Sequence, residues 1–277
     1  MKKFAKMALA AAIAGLSFAA SAGIVIDDFS VNQGVPNLLV DDTADFSGFY
    51  NSATGATTSI LGGERDMFIT ALTTDGFGAG VGTNVSGGLL KYSTDTAASG
   101  RSIIKWDGTN SATGAVVQTG SENDFKNTLV VNGLSAYDLA ATGNAFLITV
   151  KESDLGFDFA IKVYTDATHW TELVLASEKH HLFLPASSPI EFADFYGAAN
   201  ESFVVLGSGA LRSTGTDGSA DMTKVGSLLA TVNFSGSEAE IDLQIGDVST
   251  VPEPASLALV GAALLGLGAA RRRKSVK

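Results

Sequence analysis

The chain is expected to be all-β: an antiparallel two-sheet β-sandwich of jelly-roll-like type, flanked by an N-terminal signal helix and a C-terminal hydrophobic helix. Three observations predict it. Two segments alternate with a period of two: Phe157, Phe159, Ile161 and Val163 face one way against Asp158 and Lys162, and Ile241, Leu243 and Ile245 alternate with Glu240, Asp242 and Gln244. One apolar and one polar face at that period is the pattern of a half-buried strand. Turn dipeptides punctuate the chain at Asp75-Gly76, Asp107-Gly108, Asn132-Gly133 and Asp217-Gly218. The body between them is rich in Gly, Ser, Thr and Asn and holds no long stretch at helical period.

The N-terminal element comes first. Lys2, Lys3 and Lys6 precede an apolar run over residues 7–20, and Ala20-Ser21-Ala22 places small residues where a signal peptidase reads them. Residues 1–22 are therefore expected to be a Sec-type signal peptide, cut between Ala22 and Gly23. The run is short for a membrane span of about 20 residues.

Residues 23–246 are expected to form the sandwich. Besides 157–164 and 239–245, the strand candidates are 24–29, 67–72, 89–92, 102–106, 128–131, 145–151, 170–175, 190–195, 202–206 and 227–234. A short helical turn is expected in 134–139 or 189–199. The glycine-rich stretches 76–88 and 208–219 read as long loops. Residues 246–256 read as a linker, because Pro252 and Pro254 continue neither sheet nor helix. The last section, 247–277, is this linker followed by an apolar helix over about 256–270 and a basic stop at 271–274.

Charge divides the chain sharply. Residues 23–250 carry 10 Lys+Arg against 28 Asp+Glu, so the body holds 10 − 28 = −18, while three bases lie in the leader and five in the tail. Such a body repels nucleic acid and anionic lipid, which excludes nucleic-acid binding. There is no cysteine. Thiol catalysis, cysteine zinc sites and iron–sulfur chemistry are excluded with it, and the core must hold without disulfides.

The tail reads Val251-Pro-Glu-Pro-Ala-Ser256, then an apolar run, then Arg271-Arg272-Arg273-Lys274. As a helix, residues 257–270 reach about 21 Å at roughly 1.5 Å per residue, short of a hydrocarbon core of about 30 Å. The basic cluster is expected to stay on the cytoplasmic side. Small residues from Gly261 to Ala270 suit close helix approach. Motif, apolar helix and basic stop in that order resemble the PEP-CTERM sorting domain of exported Gram-negative bacterial proteins. The resemblance implies recognition of Pro252, Glu253 and Pro254 by an exosortase, a polytopic membrane transpeptidase-like enzyme. It implies a stop-transfer role for Arg271, Arg272, Arg273 and Lys274, and release to or attachment at the cell surface, often where exopolysaccharide is made. Ile26-Asp-Asp-Phe-Ser-Val-Asn-Gln33 and Leu61-Gly-Gly-Glu-Arg-Asp-Met67 are also similar to openings of other PEP-CTERM proteins with jelly-roll-like bodies.

Inside the body the chemistry-bearing residues are sparse. His180 and His181 are adjacent, so on a strand they point to opposite faces; His169 stands apart, and no His-Glu-x-x-His occurs. No Gly-x-Ser-x-Gly elbow is present for a Ser-His-Asp triad. Carboxylate pairs are too abundant to single out a glycosidase site. Gly76-Phe-Gly-Ala-Gly-Val-Gly82 lacks the Lys-Ser/Thr of a phosphate loop. Asp27-Asp28, Asp41-Asp42 and Asp217-Gly-Ser-Ala-Asp221 are oxygen donors suited to a structural calcium, though none matches a twelve-residue calcium loop. Trp106 and Trp170 are the candidate sugar contacts.

The expectation is a non-enzymatic exported protein with no required cofactor or metal, structural or adhesive in an exopolysaccharide context. The alternative is a carbohydrate-binding module, and after that a glycan-active enzyme. Its expected partners are signal peptidase and exosortase, the inner membrane in transit, and exopolysaccharide.

Overall fold

A computed structural model describes residues 23–40, 48–73, 80–108, 118–176, 189–197, 201–205 and 208–252. The expected signal segment, the apolar tail, Asp41-Asp42, Asp75-Gly76 and His180-His181 lie outside the described residues. Among the described residues no helix is long and apolar enough to cross a membrane.

Residues Gly23–Val251 form one compact unit built from two sheets whose strands pair antiparallel throughout. The strands in chain order are β1 Val25–Asp27, β2 Gln33–Val40, β3 Phe49–Thr54, β4 Glu64–Thr73, β5 Val81–Ser86, β6 Leu89–Thr94, β7 Ser99–Trp106 and β8 Gln118–Thr119. Helix α1, Glu122–Asn127, follows, and then β9 Ala145–Ser153, β10 Phe159–Tyr164, β11 Trp170–Ala176, β12 Ile190–Glu191, β13 Glu201–Val205, β14 Ser208–Thr214, β15 Ser227–Val232 and β16 Asp242–Val251. One sheet has the order β12-β9-β16-β6-β5-β2, with β1 also pairing β16; the other runs β13-β14-β11-β10-β15-β7-β4-β3-β8. The chain visits the sheets in short alternating blocks, so sequence neighbours become walls of one core.

That core takes residues from both sheets: Ile26, Val85, Tyr92, Phe146 and Ile245 from one, Met67, Ile104, Phe159, Ile161 and Leu228 from the other. The alternation in 157–164 and 239–245 is realised in β10, whose Phe159, Ile161 and Val163 are buried, and in β16 with Leu243 and Ile245. β4 and β7 are buried on both faces because α1 covers the outer side of their sheet. Phe125 of α1 stacks on Phe68 at 5.3 Å and joins Ile103 and Leu229 in a second apolar cluster.

Several expectations require correction. Segment 81–86, read as loop, is β5, turned into β6 through Gly87 and Gly88, whose φ of 64° and 76° suit a tight hairpin that only glycine enters freely. Segment 208–214, also read as loop, is β14. Both strands hold few apolar residues, so their pairing partners, not their own pattern, hold them extended. Residues 128–131, expected as a strand, are instead the turn leaving α1, where Val130 N donates to Asp107 Oδ2 at 2.7 Å. Residues 192–195 of the candidate strand 190–195 form a 3-10 helix, the short helical turn also expected within 189–199. β16 continues to Val251, so residues 246–251 are strand and not linker. Its polar Gly246, Asp247 and Ser249 hid it; pairing with β9 on one side and β1 on the other keeps it in the sheet.

Candidate functional site at the joined chain ends

β1 and β16 bring the two ends of the body together, with Val25 opposite Ser249 and Asp27 opposite Val248. Thr250 N donates to Ile24 O at 2.8 Å, and Ile24 N donates to Thr250 Oγ1 at 3.0 Å. Gly23, the residue after the expected signal cut, is exposed. Pro252, the first residue of the sorting motif, follows directly on the last ladder residue. Glu253, Pro254, Arg271, Arg272, Arg273, Lys274, Ala20 and Ala22 lie outside the described residues.

Just inside this seam lies a buried polar network that the composition did not announce. Arg65 enters the core from β4 and Asp27 from the end of β1, so the pair ties one sheet to the other. Arg65 Nη1 donates to Asp27 Oδ1 and Oδ2 at 2.8 and 2.9 Å, Nε to Gln33 Oε1 at 2.6 Å, and Nη2 to Val31 O at 2.5 Å. Trp106 Nε1 donates to Asp27 Oδ2 at 2.8 Å, and Phe29 N to Asp27 Oδ1 at 2.9 Å. Gln33 Nε2 in turn donates to Asn51 O at 2.9 Å and to Arg65 O at 3.2 Å. Burial pushes the Asp27 carboxyl up, against the Arg65 guanidinium, the Trp106 indole and the Phe29 amide that hold it down. With Nη1 on both carboxylate oxygens and Nε and Nη2 on neutral acceptors, both charges are satisfied away from water.

This geometry corrects two expectations. Trp106 is 3% exposed and spends its N–H on Asp27, so it is a core residue and not a sugar contact. Asp27 carries its charge to Arg65, so it is no free donor for calcium. Asp28 turns outward and accepts Ser30 N at 2.9 Å. The signal for the network was present in Ile26–Gln33 and Leu61–Met67, the two stretches that resembled other sorted proteins: the structure joins them through Asp27, Gln33 and Arg65.

Asp221 accepts Thr223 Oγ1 at 2.7 Å and Thr223 N at 2.9 Å, and these bonds hold its carboxyl below the ordinary range. Among the described residues no group of three His, Asp or Glu side chains is placed to hold a metal ion. His169 Nδ1 stands 3.0 Å from Asp166, whose carboxyl also accepts the amides of Thr168 and His169 at 2.8 Å; these bonds depress its pKa. That arrangement closes a surface turn.

Trp170 is half-buried on the outer face of the larger sheet. Lys162 Nζ sits 3.6 Å from its ring centroid and 5.1 Å from that of Tyr164, with Glu172 Oε1 at 4.0 Å. The ammonium thus covers one indole face, and burial pulls the Lys162 pKa down, against Glu172. α1 shields the neighbouring half of this sheet face, where Lys105 Nζ is buried against Asp66 Oδ2 at 2.9 Å and Thr128 Oγ1 at 2.7 Å. A cleft of about 520 Å³ opens beside Ile24 and Val25, walled also by Thr57, Leu61, Leu134 and Tyr137.

Residues 250–274 match the family described as the PEP-CTERM protein-sorting motif. No curated protein and no solved structure matches the chain.

Proposed function

We propose, from the PEP-CTERM sorting motif that this chain carries at residues 250–274, that it is an exosortase substrate with a non-catalytic body, structural or adhesive at the cell surface in an exopolysaccharide setting. In this reading residues 1–22, a Sec signal, deliver the chain to the inner membrane, signal peptidase frees Gly23, and the tail holds the body at the membrane until exosortase acts. In this reading the body is a β-sandwich of jelly-roll-like type, which two antiparallel sheets sharing one core support. The observation that carries the reading is the match at residues 250–274, which begins in sequence where the last strand of a body of net charge −18 ends. That charge keeps the body off anionic headgroups, so association with the membrane falls to the tail. Replacing Pro252, Glu253 and Pro254 together by alanine in the native host tests it. The surface fraction is expected to fall and full-length protein to collect in the inner membrane. Unchanged surface delivery would sink the proposal.

A second reading, saccharide binding, draws on one observation: Trp170, Tyr164, Lys162 and Glu172 form a partly exposed aromatic and charged patch. Aromatic rings stack on sugar C–H faces while charged groups bond hydroxyls. Retardation in gels containing the host exopolysaccharide, abolished by Trp170→Ala and retained in Lys162→Ala, favours it; equal mobility with and without the polysaccharide removes it.

A further inference from the structure

Lys105 is buried, and unlike Arg65 it meets two carboxylates. It lies on β7 directly across from Asp66 on β4, and its Nζ stands 2.9 Å from Asp66 Oδ2. Asp107 Oδ2 is 3.6 Å from the same nitrogen. The side chains of Lys105, Asp66 and Asp107 are 1%, 4% and 1% exposed. α1 and the turn after it cover the cluster. The Phe125 ring centroid lies 4.8 Å from Nζ, and that ring stacks on Phe68. Thr128 Oγ1 accepts from Nζ at 2.7 Å while it donates to Phe125 O at 2.8 Å, and Val130 N fixes Asp107 Oδ2 at 2.7 Å.

An amine held against a carboxyl group is a nucleophile beside an acyl carbon. Within this cluster one ammonium faces two carboxylates, an excess of negative charge that burial penalises. Passing one proton from Lys105 to Asp66 leaves a neutral amine, a neutral acid and the Asp107 carboxylate. Contact between the reacting groups removes the entropic cost of bringing them together, and the aromatic cover keeps competing water away. We propose that Lys105 and Asp66 condense into an isopeptide bond, with Asp107 carrying the protons. The Nζ lone pair forms a bond to the Asp66 Cγ carbon. The Asp107 carboxylate takes a proton from that nitrogen and delivers it to the departing hydroxyl. The C–O bond breaks, one water leaves, and Asp107 returns to its carboxylate form. Neither oxidant nor reductant is consumed. Asp66 is the acyl partner because it is the nearer carboxyl and the cross-strand neighbour. The product ties β4 to β7 covalently in a chain that has no cysteine for a disulfide.

This bond does not depend on the sorting tail, and mass spectrometry tests it. The full chain is purified folded, then denatured and digested with trypsin. Cleavage at an unmodified Lys105 gives peptides 66–91, 102–105 and 106–126. The expected result is instead a branched peptide that joins 66–91 to 102–126 and is one water lighter than the two together. Its fragmentation is expected to place the link at Asp66 and Lys105. Quantitative recovery of 102–105 and 106–126 from the parent chain overturns the proposal, and so does a link to any other carboxyl. Asp107→Asn, checked for the parent circular dichroism spectrum, is expected to reduce the branched peptide to a trace. A bonded fraction equal to the parent's would overturn the role given to Asp107. Should that variant fail to fold, the parent digest still decides whether the bond exists.

Discussion

Arg65 and Asp27 are where single side chains matter most. Both are fully buried, and each is the other's only charged partner in the hydrogen bonds that define the network. Asp27→Ala leaves a guanidinium in the core without its carboxylate, and breaking a buried pair in this way costs about 3–5 kcal/mol. The expected outcome is a large fall in the urea midpoint, measured on the Gly23–Val251 body. The double variant Asp27→Leu with Arg65→Met is expected to recover much of the loss, because paired apolar replacements remove both desolvation penalties. Tyr164 makes a pH prediction. Burial, aided by the Glu172 carboxylate, pushes its phenol from the ordinary 10.0 up to about 12. The folded pKa lies above the unfolded one, so its contribution is full below pH 10 and is lost as pH rises from 10.0 to about 12. Phenolate absorbance should show a late-titrating tyrosine in that window that disappears in Tyr164→Phe. An unchanged titration curve would count against the burial described.

At the scale of elements, α1 turns an exposed sheet face into a second core. It is only six residues long, too short to stand alone. Ser121 caps it: Ser121 Oγ accepts Asp124 N at 3.2 Å, and the Asp124 carboxylate accepts Ser121 N at 2.8 Å. Ser121→Ala is expected to cost about 1 kcal/mol, and Phe125→Ala about 3–5 kcal/mol through the cavity left against Phe68 and Ile103. Amide exchange along β4 and β7 should rise selectively in the second variant. The Asp124 carboxyl sits below its ordinary pKa because the Ser121 hydroxyl and amide donate to it. Its capping contribution is therefore present above the usual carboxylate range and fades as pH falls through the depressed value. Elements differed in how plainly they showed themselves. β10 carries three buried apolar residues at alternate positions and declared itself, whereas β5 offers only Val81 and Val85, and β14 spends Leu211 on solvent. A strand whose own side chains bury little is held by its neighbours, and local sequence does not record them.

For the whole molecule, the seam between β1 and β16 closes the body and sets its C-terminal limit. The Gly23–Val251 body is expected to melt in one cooperative transition. A fragment ending at Ile245, close to where the strand first seemed to stop, loses the β16 partners of β1 and of the start of β9. It is expected to lose near-ultraviolet circular dichroism and the cooperative melt. Equal melting of the two fragments would show that residues 246–251 add nothing to the fold. Because Ile24 and Thr250 are hydrogen-bonded, the first and last strands of the body end side by side.

The sequence by itself determined the sorting tail, the all-β character and the thiol-free chemistry, because each depends on local features: a short motif with its spacing, a period of two, a missing residue type. Only the tertiary structure decided that Trp106 belongs to the core, that Asp27 answers Arg65 rather than an ion, and that strand continues to Val251. Each of those depends on a partner far away in the chain: 79 positions for Trp106 with Asp27, 38 for Asp27 with Arg65, 226 for Ile24 with Thr250. Burial and pairing at such separations arise from the packing of two sheets, and the order of residues along one strand cannot express them.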